Sequence, residues 1–271
     1  MRVPDSIIGI WGAPRSGTSW LGQIFNSSPN TLYRYQPLFS YKYRDRLSKS
    51  STKKEIDEFF SDIIITDDNF VINGLASAKE INLLKFDKLT NPTHLVMKHV
   101  RYMQLIENLI LNTNNLRVVA IIRHPCAVIN SWIKSPNEFN PKWSIDDEWA
   151  FAKKKNEEDP NQYFGYEKWK ETTILFEKLN EKYPRNFTIV KYSELLSNAE
   201  YEIIKLFGKL DLEVFDATIE FIGRSISMNF DDDYSVFKKK NNDNNWNKEL
   251  HPSIINHIKT DLSNTYLSKY L

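Results

Sequence analysis

The chain has 271 residues, with 36 Lys+Arg against 35 Asp+Glu and a formal net charge of +1 at pH 7. That balance excludes loosely specific polyanion binding as the main activity, because nucleic-acid binders usually carry a basic excess. Hydrophobic residues at 41% and charged residues at 26% stand well away from the apolar-poor, charge-rich compositions that stay disordered, and the length suits one large domain or at most two.

Taken in chain order, Ser6-Ile-Ile-Gly-Ile-Trp11 is an almost unbroken apolar run closed by a glycine-bearing turn, the pattern of a strand buried on both faces. Helical spacing follows over Ser19 to Asn26, and then an aromatic and basic stretch, Tyr33 to Ser51, that fits neither period. Helical spacing returns over Lys53 to Ile64, Met103 to Leu111, Pro125 to Lys134, Tyr163 to Lys182 and Ala199 to Leu210. His94 to Lys98, Arg117 to Arg123 and Phe187 to Lys191 read as further strands. Strands alternating with helices predict a single α/β domain over residues 1–271, with a central parallel sheet flanked by helices. Pro136 to Asp159 and Phe230 to Asn247 read as long surface segments of the kind that form lids or binding loops.

The single cysteine, Cys126, cannot form an internal disulfide or build a thiolate metal site alone, which fits a reducing compartment and a role as small apolar filler. The apolar run Ile7 to Ala13 is too short for a secretory leader, and no window approaches the roughly 18 apolar residues of a membrane helix. The expectation is a cytoplasmic protein with no membrane span and no nucleic-acid partner. His94, His124, His251 and His257 lack metal-ligand spacing, so no metal site is expected.

The most informative segment is Gly12-Ala-Pro-Arg-Ser-Gly-Thr-Ser19, between a buried strand and a helix. Its glycine spacing matches a phosphate-cradling loop, in which backbone N–H groups and a helix N-terminus form an anion site. The usual lysine position is Thr18, and the cation stands inside the loop at Arg15. A nucleoside triphosphatase needs that lysine and a strand-end acid for Mg²⁺, yet Ala120-Ile-Ile-Arg123 ends in arginine. The pattern points to a different phosphorylated donor.

Ala13-Pro-Arg-Ser-Gly-Thr-Ser-Trp-Leu21 resembles the 5′-phosphosulfate loop of the sulfotransferases, and Arg123-His-Pro-Cys-Ala-Val-Ile-Asn-Ser131 resembles their 3′-phosphate motif. The resemblance implies the P-loop-like architecture of that family and sulfuryl transfer from 3′-phosphoadenosine 5′-phosphosulfate as co-substrate, without a metal. It assigns donor contacts to Arg15, Ser16, Gly17, Thr18, Ser19 and Trp20 in the loop, and to Arg123 and Ser131. Val190-Lys-Tyr-Ser-Glu-Leu-Leu196 is similar to the family's strand-end segment and adds Tyr192 against the adenine. Phe237-Lys-Lys-Lys-Asn241 with Trp246-Asn-Lys248 resembles the segment that closes over the 3′-phosphate and adds Lys239 and Lys240. Arg15 and Lys98 stand where the family has its loop lysine and strand-end lysine, the electrostatic pair of the reaction.

The resemblance leaves the base open. The carbohydrate-directed branch, whose loop is the more similar, carries Tyr-x-x-Glu-Pro-Leu after the first helix; here Tyr33-Arg-Tyr-Gln-Pro-Leu38 puts Gln36 at the glutamate, and an amide accepts no proton. His99 is the remaining candidate, although alternation along a strand turns it away from Lys98. Plainer readings stay beside these: Lys98 as a solvated strand end, His99 as a structural histidine, Tyr192 as a half-buried aromatic, Lys239 and Lys240 as a solvated charge run. An inactive adenine-nucleotide binder and a kinase with a degenerate loop are the rival functions.

The expected acceptor is hydroxylated, an anionic glycan or a phenol. Arg34, Lys42, Arg44 and Arg46 interleaved with Tyr33, Tyr35, Phe39, Tyr41 and Tyr43 suggest a cleft wall in which Arg34 or Arg44 holds an acidic group.

Overall fold

The structure is a computed structural model and describes residues 4–157, 159, 161–230, 235–237 and 243–271. Strands β1 (Ser6–Trp11), β2 (Thr31–Tyr35), β3 (His94–His99), β4 (Leu116–Ile122) and β5 (Phe187–Lys191) form one sheet in the order β2-β3-β1-β4-β5. Every neighbouring pair is parallel, which is the expected architecture. The helices are α1 (Thr18–Ser27), α2 (Lys53–Ile64), α3 (Asn69–Asn73), α4 (Ala78–Leu83), α5 (Ile106–Asn112), α6 (Pro125–Ile133) and α7 (Ile145–Glu148). They continue with α8 (Lys153–Asn156), α9 (Tyr166–Lys182), α10 (Tyr192–Ser197), α11 (Ala199–Lys209), α12 (Asp216–Ser227), α13 (Trp246–Glu249) and α14 (Pro252–Ser263). Among the described residues, no helix is long and apolar enough to cross a membrane.

The sheet has two buried faces, as a parallel sheet requires. Ile7 and Trp11 of β1, Leu95 and Met97 of β3, and Leu116, Val118, Ala120 and Ile122 of β4 pack on one side with α2, α5, α6, α9 and α14. Ile8, Ile10, Val96, Val119 and Ile121 pack on the other with α1, α11 and α12. Cys126 is buried in the first cluster, and burial pushes its thiol up to about 12, so it behaves as apolar filler.

Two expectations about elements need correction. The stretch from Tyr33 to Ser51 was expected to follow neither period, but its first residues belong to β2, the edge strand paired to β3. The helix expected from Tyr163 begins at Tyr166, because Gly165 takes φ +89° and its backbone passes close to Ala150.

The strand order reverses around β1: β3 lies on one side and β4 on the other. Loops leaving the carboxyl ends of β1 and β4 therefore diverge and leave a crevice there, the usual ligand position in an open α/β sheet.

Candidate active site

The crevice is a cleft of about 680 Å³, lined by residues that follow all five strands. One wall is built from the loop after β1. Arg15 is held at φ 69°, a left-handed conformation that costs a non-glycine residue of order 1–3 kcal/mol and persists only where its surroundings impose it. Gly17 follows at φ +92°, and a Cβ there would sit 2.5 Å from the Tyr192 ring. A Cβ on Gly12 would come within 2.7 Å of Thr18 Cγ2 and 2.8 Å of the Ile121 carbonyl oxygen. Both glycines are thus required by close approach. No side chain caps α1, so its first turn, with the Thr18 and Ser19 hydroxyls beside it, faces the cleft as an anion site.

The loop is tied to the end of β4. Arg15 Nε donates to Ser131 Oγ at 3.1 Å, and Arg123 Nη1 donates to the Arg15 carbonyl oxygen at 2.6 Å. Arg123 lies 4.8 Å from the centre of the Tyr192 ring. Its outer edge grips Asp243, with Nε 2.9 Å from Oδ2 and Nη2 2.5 Å from Oδ1. Burial opposes the charge of Arg123, but Asp243 more than offsets it and holds the pKa above the ordinary arginine value. Trp20 meets Tyr192 edge-on at 5.9 Å and donates to Ser225 Oγ. Trp246 stacks on His124 with ring centres 4.3 Å apart and joins the lining.

Of the residues singled out from the sequence, Arg15, Gly17, Thr18, Ser19, Trp20, Lys98, Arg123, Ser131 and Tyr192 line this one cleft. Ser16 is buried beneath the loop and lies outside the lining. Lys239 and Lys240 fall outside the described residues.

Lys98 and His99 part company. In the parallel register Lys98 stands opposite Ile10 and Tyr35, and His99 opposite Trp11. Lys98 Nζ lies 4.4 Å from the Tyr35 ring centre and lines the cleft. Burial, helped by the Arg101 and Arg15 charges, brings its ammonium down to about 7. His99 stacks on Trp11 at 5.1 Å on the other face. Its Nε2 is buried without a hydrogen-bond partner, and burial, with the Lys98 and Arg101 charges, pushes it down to about 3. The expectation that His99 serves as base is corrected: the alternation of the strand removes it from the cleft.

The basic residues after α1 are corrected in the same way. Arg34 is buried in β2 and donates to the carbonyl oxygens of Ile63 and Ile64 at 2.5 and 2.6 Å, closing the end of α2. Lys42 pairs with Asp67 at 2.8 Å and Arg46 with Asp62 at 2.9 Å. Arg44 pairs with Asp159 and Asp45 at 3.5 and 3.8 Å. From this segment it is Tyr35, Gln36 and Phe39 that reach the cleft.

The other wall of the cleft contains residues that were not singled out. Arg101, just beyond β3, is buried with its guanidinium 3.7 Å from the Phe39 ring centre. Glu138 and Lys155 come from the stretch over residues 136–159, which was expected to be a lid or binding loop, and Gln162 and Phe164 from the residues just beyond it. Glu138 and Lys155 pair at 2.8 Å. A position just past the carboxyl end of a strand was the one signal available for Arg101. Among the described residues, no cluster of three His, Cys, Asp or Glu could hold a metal ion.

The sulfotransferase family profile matches residues 8–216. No curated protein matches the sequence. The fold resembles that of a sulfotransferase from Alicyclobacillus acidocaldarius (TM-score 0.57, 11% identity, covering 97% of this chain and 92% of that one). It also resembles mouse sulfotransferase SULT7A1 complexed with PAP (TM-score 0.54, 14% identity, 98% and 88% covered). A third is the sulfotransferase domain of the Synechococcus PCC 7002 olefin synthase (TM-score 0.53, 13% identity, 96% of each chain covered). At such identities the structures speak for the fold, whereas the profile match runs from β1 to the first residue of α12 and so takes in the loop, both arginines and Tyr192: the chain belongs to the sulfotransferase family.

Proposed function

We propose that this chain transfers a sulfuryl group from 3′-phosphoadenosine 5′-phosphosulfate to a hydroxyl, or as a second choice an amine, of a carbohydrate or small-molecule acceptor. The observation that carries the reading is the junction of two cationic subsites: Arg123 donates to the Arg15 backbone while the Arg15 side chain donates to Ser131. One ligand with phosphates on both the 5′ and 3′ sides of a nucleoside suits such a pair. The residues present fit that donor, since the uncapped first turn of α1, two hydroxyls, Arg15 and Lys98 supply donors and positive charge. The mouse sulfotransferase of similar fold was solved with PAP bound, which supports the same choice here.

Bound there, the donor supplies the sulfuryl group and leaves as adenosine 3′,5′-bisphosphate. Arg15 and the first turn of α1 stabilise negative charge that grows on the leaving phosphate oxygen. Lys98, drawn down to about 7 by burial and by Arg101 and Arg15, regains its proton next to an anionic ligand and supports the sulfuryl oxygens. Tyr192 and Trp20 position the adenine side. As the acceptor oxygen forms its bond to sulfur and the sulfur–phosphate oxygen bond breaks, the hydroxyl proton moves to a carboxylate. Three described carboxylates line the cleft and each has a cationic partner: Asp243 is held by Arg123, Glu249 by Lys134, and Glu138 by Lys155, and of the three it is Glu138 that stands beside Arg101 on the acceptor side. Glu138 is therefore the assigned proton acceptor, in place of His99.

Gln36 and the withdrawn His99 favour one second reading, a nucleotide-binding protein without turnover. Incubation with 3′-phosphoadenosine 5′-phosphosulfate and a panel of hydroxylated acceptors, followed as release of adenosine 3′,5′-bisphosphate, separates the two. Acceptor-dependent release supports transfer, and tight binding with no release on any acceptor supports the second reading.

A further inference from the structure

Arg101 is a buried cation whose partners carry no charge. Its Nε donates to Gln162 Oε1 at 3.1 Å and its Nη1 to Gln36 Oε1 at 3.4 Å, while the Phe39 ring covers one face. No carboxylate pairs with it among the described residues, although Glu138 and Asp159 are near enough to favour its charge. Two of its five N–H groups are used by the glutamines, and the others have no acceptor among the described residues. The residue is 6% exposed and lines the cleft on the acceptor side.

The charges around it deepen the imbalance. Lys98 and Lys155 line the same side, and the two carboxylates near Arg101 are each engaged by another cation, Glu138 by Lys155 at 2.8 Å and Asp159 by Arg44 at 3.5 Å. Burial lowers the pKa of Arg101, as it does for any cation taken from water without a counter-charge. Gln36 matters here for what it withholds. A glutamate at this position would neutralise Arg101 from inside the protein, whereas the amide orients the guanidinium and leaves its charge for a ligand.

We propose that Arg101 is the recognition site for an oxyanion carried by the acceptor, a carboxylate or a sulfate or phosphate ester, held by the guanidinium edge that the two glutamines leave open. The acceptor is then an acidic molecule whose hydroxyl is presented to Glu138 while its anionic group sits on Arg101. This assignment rests on the acceptor-side reading given above, and it moves the anion site from Arg34 and Arg44 to a residue inside the cleft.

The test titrates the protein, with adenosine 3′,5′-bisphosphate saturating, against 4-hydroxybenzoate, phenyl phosphate and methyl 4-hydroxybenzoate by calorimetry. At least one of the two anions is expected to bind about tenfold or more tightly than the ester, and which one does so identifies the oxyanion. Arg101→Gln and Gln36→Glu, the second of which supplies an internal counter-charge, are each expected to weaken that binding by about tenfold or more, while Arg101→Lys keeps most of it. Unchanged bisphosphate affinity in all three variants reports an intact fold. Equal binding of anion and ester, no binding of either anion, or anion binding indifferent to both Arg101→Gln and Gln36→Glu overturns the proposal. If the wild type fails to bind the bisphosphate, the donor reading falls, and the same titrations without nucleotide still decide the role of Arg101.

Discussion

Arg123 and Asp243 form a two-pronged ion pair across the donor side of the cleft, at 2.5–2.9 Å. On the proposed function the carboxylate occupies the edge of the guanidinium that a 3′-phosphate would use, and donor binding would exchange one anion for the other. Asp243→Asn is expected to tighten adenosine 3′,5′-bisphosphate binding by about 1 kcal/mol, the net worth of an ordinary hydrogen bond, and to leave AMP unchanged. Calorimetry on both ligands checks this; a loss of bisphosphate affinity would show that Asp243 helps to position Arg123.

Lys98 makes a prediction about pH. Its ammonium titrates at about 7 in the folded chain because burial, Arg101 and Arg15 disfavour the charge, against an ordinary value of 10.5. Between these values the unfolded chain binds the extra proton, so this lysine makes stability rise with pH through that window, and its cost is complete below about 7. Lys98→Met is expected to raise Tm by about 2–4 °C near pH 7, the shift that about 1 kcal/mol produces in a chain this size. The gain should shrink towards pH 9.5, and sulfuryl transfer should fall sharply. Thermal melts at the two pH values decide it: a gain that does not shrink removes the assigned titration.

Gly17→Ala should destabilise the chain by about 1–2 kcal/mol through its left-handed backbone, with a further cost from the Tyr192 ring 2.5 Å from the new Cβ, and should abolish bisphosphate binding. Gly208→Ala is the control. A Cβ there meets nothing within 4 Å and Gly208 lies inside α11, so a gain of about 0.5–1 kcal/mol is expected. Denaturant midpoints for the pair measure both effects.

Glu138→Gln should lower kcat by about 10²–10⁴, the usual worth of general base catalysis, with little change in bisphosphate affinity. A variant that loses donor affinity to the same extent as turnover would mark Glu138 as structural, acting through Lys155.

What could be read from the sequence follows from how local each signal is. β1 and β4 stood out because both are short apolar runs, and α2 because its apolar residues recur at helical spacing; the reciprocal cap between Thr52 and Glu55 at its start is added by the structure. β2 was hidden by Arg34, whose charge suggests solvent although the carbonyl ends of α2 bury it. α12 and α14 went unread, although Phe221 and Ile222 bury a helical face in one core cluster and Ile254 and Ile258 in the other. In the site, Arg15 and Arg123 were legible because each sits just after a strand, where side chains meet at the crevice. Arg101, Glu138 and Gln162 were not, since their convergence depends on a long segment after α6 folding back over the cleft. Alternation along β3 already argued against His99, and the structure agrees with that argument rather than with the role assigned to the residue.

The most direct measurement is a calorimetric titration of adenosine 3′,5′-bisphosphate and of AMP into the wild type and Arg123→Ala. If Arg123 receives the second phosphate, the substitution costs the bisphosphate about 1.5–3 kcal/mol, the range for a hydrogen bond to a charged group, and leaves AMP nearly unaffected. An equal loss for both ligands would contradict this and reduce Arg123 to a brace for the Arg15 loop.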